Sequence, residues 1–343
     1  MAFPRRTTVV MVVTVSWLLI VSVLHYMLNV GRDHGSSRFR VGFLPVTCHL
    51  TCPVTHYINE QMRGGTTFDP IRFQGWPELK EAFLSHHLEA SFILAPMAMA
   101  LCEQGVPIKI VYLGHRDGTT MVVHKNSSIH TIADLRGRTV AVPNRFSNQR
   151  LIIFRALKQL GIGQDEVQLR EIPPPDMPAA LAVGAVDAII SGEPFMGQAE
   201  MAGYGRVLFL TKDVWPEFIS CVLAVHEDVI RRRRPEVQEL VTGIARSGKW
   251  LDQHMENRMA AAEFTGNFYY HQDPALLRFV LSKPPDRVKF TNLRVLRADF
   301  EEIQMLGAEA GVLKGTAGFE DYADPSFVPD ESGIQPYDWK SVP

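Results

Sequence analysis

Glu89-Ala90-Ser91-Phe92-Ile93-Leu94-Ala95-Pro96-Met97 and Asp187-Ala188-Ile189-Ile190-Ser191-Gly192-Glu193-Pro194-Phe195 read as two copies of one device. In each, an acidic residue and an alanine open a short apolar run, and a proline falls seven residues after the acid. A short continuous apolar run closed by proline is the pattern of a strand buried on both faces. A helix-compatible segment precedes each copy, starting near Pro77 and near Pro178. Helix, strand and proline turn, repeated, predict two similar α/β lobes. Where such lobes face each other, the strand ends and the loops after them line a crevice, the place where open α/β sheets bind ligands.

The rest of the chain fits that frame. Its 343 residues are too many for one small core and suit two lobes of roughly 100–150 residues each. Charged residues make up 21% and hydrophobic ones 46%, with a net charge of −2, which gives no nucleic-acid footprint and excludes a disordered acidic protein. The N-terminus differs: Arg5 and Arg6 precede a mostly apolar run from about Val9 to Val30, followed by a polar linker, Gly31 to Ser37. Such a run, at 1.5 Å per residue, covers roughly 33 Å, enough for a bilayer. Residues 1–37 are therefore expected to be an uncleaved membrane anchor and linker, with a cleaved export signal as the alternative. Either places the bulk of the chain outside the cytoplasm, periplasmic and anchored or secreted.

Strands are expected at Phe39–Val46, Ile71–Phe73, Phe92–Ala95, Ile108–Leu113, Thr120–His124, Thr139–Val142, Val167–Ile172, Ala185–Ile190 and Arg206–Leu210. Pro at the first helical turn starts a helix after Trp76, and Ser147 and Asn148 are good caps for a helix from Gln149 to Leu160. Helices are expected over 234–252, 255–270, 274–281 and 298–310 from apolar spacing of three and four. The aromatic, acidic tail from Gly318 is expected to lie over the first lobe. Lobe 1 is drawn as 38–120 with 218–343, and lobe 2 as 121–217.

Phe43-Leu44-Pro45, Ile93-Leu94-Ala95-Pro96-Met97, Asp134-Leu135-Arg136-Gly137, the Ser147-Asn148 helix start and Gly192-Glu193-Pro194-Phe195 together resemble the nitrate, sulfonate, taurine and bicarbonate class of ABC-importer substrate-binding proteins. Each motif is weak alone; their order and spacing carry the resemblance, from about Arg38 to Ala310. It implies a type II periplasmic-binding-protein fold, two α/β lobes joined by two crossing strands that close on a small polar or anionic solute. It further implies a monomer that delivers solute to a permease and ATPase, and no reaction. The alternatives are a membrane-anchored ligand sensor and a protein binding a soft metal or a thiamine precursor. A thiamine-pyrimidine synthase, from the same domain family, carries a clustered cysteine run that this chain lacks.

By matching position, the resemblance places Thr47, Cys48, His49, Trp76, Pro96, Met97, Ser147, Asn148, Gln149, Glu193 and Cys221 on the cleft. The helix start at Ser147-Asn148-Gln149 offers backbone N–H groups and a positive dipole end to an oxyanion, or is merely capped by Ser147. Trp76 is either a ligand wall or a core residue, and Glu193 either meets a cationic group or fixes its turn. Cys48, Cys52 and Cys221 are a candidate soft-metal set, since thiolates select Cu(I) or Zn. A disulfide from Cys221 to Cys48 or Cys52, and plain buried thiols, are the other readings; no other cofactor is indicated. The run Arg231 to Arg234 reads as a solvated turn or a docking face.

Overall fold

The computed structural model describes residues 5–25, 38–62, 68–329 and 332–340. The linker expected over residues 31–37 and the side chains of Arg5 and Arg6 lie outside the described residues. Two compact units result, residues 1–38 and 39–343. In the first, Arg5–His25 is a 21-residue helix whose side chains from Val9 to Leu24 are all exposed. Among the described residues no helix is long and apolar enough to cross a membrane, so the expected anchor is not shown.

The second unit is built on two five-stranded sheets. The strands are β1 Phe39–Phe43, β2 Phe68–Arg72, β3 Ala90–Leu94, β4 Ile108–Leu113, β5 Arg116–Asp117, β6 Thr119–His124, β7 Thr139–Val142, β8 Gln168–Glu171, β9 Ala188–Gly192, β10 Gly205–Leu210, β11 Cys221–His226 and β12 Val288–Lys289. One sheet runs β2-β1-β3-β11-β4 and the other, read the same way, β8-β7-β9-β6-β10. In each, four strands run in one direction and the fourth in the order, β11 or β6, runs against them. The two sequence copies are β3 and β9, the central strand of each sheet, and every residue in both strands is buried. Centrality explains the unbroken apolar runs, because a helix layer covers each face.

The fourth strand of each sheet arrives from the other half of the chain. The chain leaves the first sheet at Leu113 and enters the second at Thr119; it leaves the second at Leu210 and returns at Cys221. The two crossings touch through the bridge of Arg116 with Ile219, and β5 pairs with β12 beside them. Arg116 is 1% exposed there and is held by Asp299, by the Asn292 carbonyl and by the Glu217 carbonyl.

Some expected boundaries move for local reasons. β2 starts at Phe68 and includes Pro70, which an edge strand tolerates because the missing N–H is not needed. β1 stops at Phe43, and Thr47–His49 forms a short helical turn ahead of the helix Thr51–Met62. The helix expected over 255–270 runs only from Met255 to Thr265; a wider π turn, Gly266–Tyr270, follows it. The tail lies on the first sheet's side as expected: Asp324 N–H donates to the Ile110 carbonyl, and the Tyr337 hydroxyl donates to Asn59. The basic run is locally paired, Arg231 with Glu227, Arg232 with Asp228 and Arg233 with Glu236, which is a solvated helix end.

Candidate functional site

The loop after β1 comes first. Gly114 lies against it so closely that a Cβ there would sit 2.0 Å from the Cys48 carbonyl oxygen, while its own N–H donates to the Cys221 carbonyl at 3.0 Å. Only glycine lets the Cys48 main chain reach β11. Tyr270, delivered by the π turn, donates its hydroxyl to the Val46 carbonyl at 2.7 Å, and Gln272 reaches the Pro45 carbonyl. The loop is thus braced from two sides, with Thr47, Cys48 and His49 fully buried.

Opposite stand the residues of the second lobe. Ser147 caps the helix Asn148–Gln159 by accepting from Arg150 N–H. Asn148 donates its amide to the Ile219 carbonyl, and Gln149 donates to Ser220 Oγ at 2.9 Å and Thr119 Oγ1 at 3.2 Å. Thr47 N–H donates to the Glu193 carbonyl at 2.7 Å. Ala95 N–H donates to the Ser220 carbonyl, which sets Pro96 and Met97 beside the same strand entry. Those contacts join the two lobes at one place.

At that place several polar atoms are buried without a hydrogen-bond partner. Lobe 1 supplies Thr47 Oγ1, His49 Nε2 and Trp76 Nε1; lobe 2 supplies Asn148 Oδ1 and Gln149 Oε1. Trp76 packs edge-on against His49 with ring centroids 5.7 Å apart. His49 Nδ1 accepts the Leu44 N–H at 2.7 Å, so the ring proton of the neutral imidazole sits on Nε2. Lobe 1 therefore presents N–H and O–H donors, and lobe 2 presents amide carbonyl oxygens whose own NH2 groups are already committed. None of the eleven expected residues is Lys or Arg.

Glu193 does not face this space. Its carboxylate accepts from Thr120 Oγ1 at 2.6 Å, Gly197 N–H at 2.8 Å and Arg287 at 2.9 Å, in surroundings where both it and Arg287 are about 2% exposed or less. Burial raises its pKa above the ordinary carboxylate value in spite of Arg287. Of the two readings of Glu193, these contacts are those of an acid that fixes its turn.

The expected thiol set also changes membership. Cys48 and Cys221 are free cysteines with sulfurs 3.0 Å apart, and with a His49 ring nitrogen they form a group within 4.8 Å of one another. Cys52 lies outside that group, in the helix Thr51–Met62, where burial alone pushes its thiol up. A metal at His49 Nε2 needs the proton on Nδ1, donated to an acceptor. Here Nδ1 already accepts an N–H, so the ring proton sits on Nε2 and the imidazole does not fit a metal ligand.

Sequence reasoning did not find Thr119, Ser220, Tyr270 or Arg287. They belong to crossing segments and loops whose approach is set by tertiary packing, and no local pattern marks them.

The sequence pattern of the NMT1-like family matches residues 33–266, more than half of the chain, and the protein belongs to that family. A Synechocystis nitrate import ATP-binding protein is 21% identical over 261 residues, covering 69% of this chain and 39% of the relative. A putative aliphatic sulfonates-binding protein of Escherichia coli is 26% identical over 185 residues, covering 52% and 56%. The chain thus spans about half or less of the length of these curated relatives. The ligand-binding component of an ABC-type import system from Staphylococcus aureus, solved with zinc bound, superposes with a TM-score of 0.76 at 22% identity, over 87% of this chain and 98% of that one. That likeness establishes the two-lobe fold.

Proposed function

We propose that this member of the NMT1-like family captures a small polar or anionic solute between its lobes and hands it to an ABC permease and its ATPase, without catalysing a reaction. The observation that carries the reading is the partition of unpaired buried atoms: donors Thr47, His49 and Trp76 on one lobe, acceptors Asn148 and Gln149 on the other. Leaving such groups unpaired costs about 1–3 kcal/mol each, so a solute that pairs them favours closure. With no cationic side chain among these residues, an oxyanion would be held by neutral N–H and O–H donors, aided by the N-terminal end of the helix Asn148–Gln159. Solutes that also carry a donor, such as an amino or hydroxyl group, would use the amide oxygens. The names of the relatives, which concern nitrate import and aliphatic sulfonates, support the same solute class.

Calorimetric titration with nitrate, bicarbonate, taurine and a short alkanesulfonate tests it. Saturable binding of at least one is expected, weakened about tenfold or more by Trp76→Ala and by Asn148→Ala. Unchanged affinity in both variants would remove this pocket from the account.

The same reading takes the first helix as an anchor facing the compartment from which solute is taken. Its apolar side chains are exposed around the whole circumference, the character of a helix solvated by lipid. Resistance of the full chain to alkaline extraction from membranes tests that, and release would refute it.

A further inference from the structure

The solute reading leaves one arrangement unexplained: two buried thiols in contact beneath the cleft. Cys48 Sγ and Cys221 Sγ are 3.0 Å apart, well inside ordinary sulfur van der Waals contact, and neither residue is more than 2% exposed. They come from the braced loop after β1 and from the first residue of β11, brought together by Gly114. A His49 ring nitrogen lies within 4.8 Å of both sulfurs. Ser220 Oγ, 3.6 Å from Cys221 Sγ, accepts from Gln149 of the second lobe, and a Cβ on Gly192 would lie 3.8 Å from Cys48 Sγ. The pair therefore sits at the joint between the lobes.

We propose that Cys48 and Cys221 are a reversible dithiol–disulfide site, with Cys221 as the attacking sulfur and Cys48 as the resolving one. The asymmetry has a physical cause. Burial pushes both thiols up, but at Cys221 the hydrogen bond from Cys48 and the nearby His49 ring outweigh it and lower that group, whereas Cys48 is held well above its ordinary value. Thus Cys48 S–H donates to a Cys221 thiolate. When the lobes part, the thiolate attacks one sulfur of a low-molecular-weight disulfide, RSSR, forming a mixed disulfide and releasing RS⁻. That RS⁻ takes the Cys48 proton and leaves as RSH. The Cys48 sulfur then displaces the second RS⁻ from Cys221 and closes the intramolecular bond. One thiol, one thiolate and RSSR become one protein disulfide, RSH and RS⁻, so charge and protons balance and RSSR is the oxidant. Closure needs the sulfurs to move from 3.0 Å to about 2.05 Å, a change side-chain rotation can supply.

The experiment counts thiols and maps links in the full chain, reduced and then treated with cystine at pH 7.5. Titration of the denatured protein should give four thiols before treatment and two after, with a peptide pair joining Cys48 to Cys221 and with Cys52 and Cys102 unlinked. In Cys48→Ser, cystine should leave a mixed disulfide on Cys221; in Cys221→Ser, Cys48 should react at least tenfold more slowly, because its sulfur stays protonated. Circular dichroism confirms that both variants are folded. Four thiols after treatment, a link that includes Cys52 or Cys102, or equal rates in the two variants would overturn the proposal. So would one soft-metal ion per chain that purifies with the protein and is lost in both variants.

Discussion

Removing the positive partner of the buried acid at the second proline turn gives the sharpest test of how that turn is built. Arg287 is 2% exposed, 2.9 Å from Glu193 and 2.9 Å from Glu200, itself 29% exposed. Arg287→Met keeps most of the side-chain stem and deletes the charge. Taking one member from a buried ion pair typically costs about 3–5 kcal/mol, because the other charge is left in a poor solvent. The lower figure applies here, since Thr120 and the Gly197 N–H still bind the carboxylate. About 3 kcal/mol at pH 8 is expected, or a fall of roughly 6–10 °C in Tm by far-UV circular dichroism.

The cost should also depend on pH. Burial already raises Glu193 above the usual carboxylate pKa, and loss of Arg287 raises it further. A group with a raised folded pKa contributes its stability at low pH and loses it as pH climbs through that pKa. The gap between wild type and variant should therefore widen as pH rises and narrow as pH falls and Glu193 takes a proton. Adding Glu193→Gln should restore much of the loss at pH 8 and remove its pH dependence. A loss that is constant from pH 5 to 8, or below about 0.5 kcal/mol throughout, would refute the reasoning.

His115 is fully buried with both ring nitrogens unpaired, and burial brings its pKa down to about 3. A depressed folded value means stability present above pH 6.5 and lost as pH falls toward 3, at about 1.4 kcal/mol per pH unit. His115→Gln should therefore lose about 2.3 kcal/mol less than wild type between pH 6.5 and 4.5 in urea titrations; parallel curves would contradict this. Gly114→Ala drives a methyl into the Cys48 carbonyl oxygen at 2.0 Å. A loss of about 3 kcal/mol or more is expected, together with slower Cys48–Cys221 oxidation, whereas an unperturbed Tm would show that the loop can yield.

Much of the architecture was legible because it rests on local patterns. The runs at 89–97 and 187–195 had to be buried on both faces to be so apolar, and they proved to be the central strands of equivalent sheets. Ser147 was legible as a cap because a hydroxyl at that position accepts an N–H in the first helical turn. Glu193 was visible as a lone acid at a turn, but its direction was not. Two roles fitted the same letters, and Arg287, 94 residues away, settled which held.

The cysteines show the same division. Their presence at a strand-to-helix junction and on a returning strand was a fact of the chain, and three chemistries fitted it. Tertiary structure removed Cys52 and brought Cys221 within 3.0 Å of Cys48. It also turned His49 into a donor by presenting the Leu44 N–H to Nδ1. Sequence by itself determined the repeat and the strands, since periodicity and turn chemistry act over a few residues. The partners of Glu193, Cys48 and His49 were decided only by the packed structure, because crossing strands bring together groups up to 173 residues apart and no local propensity encodes that approach.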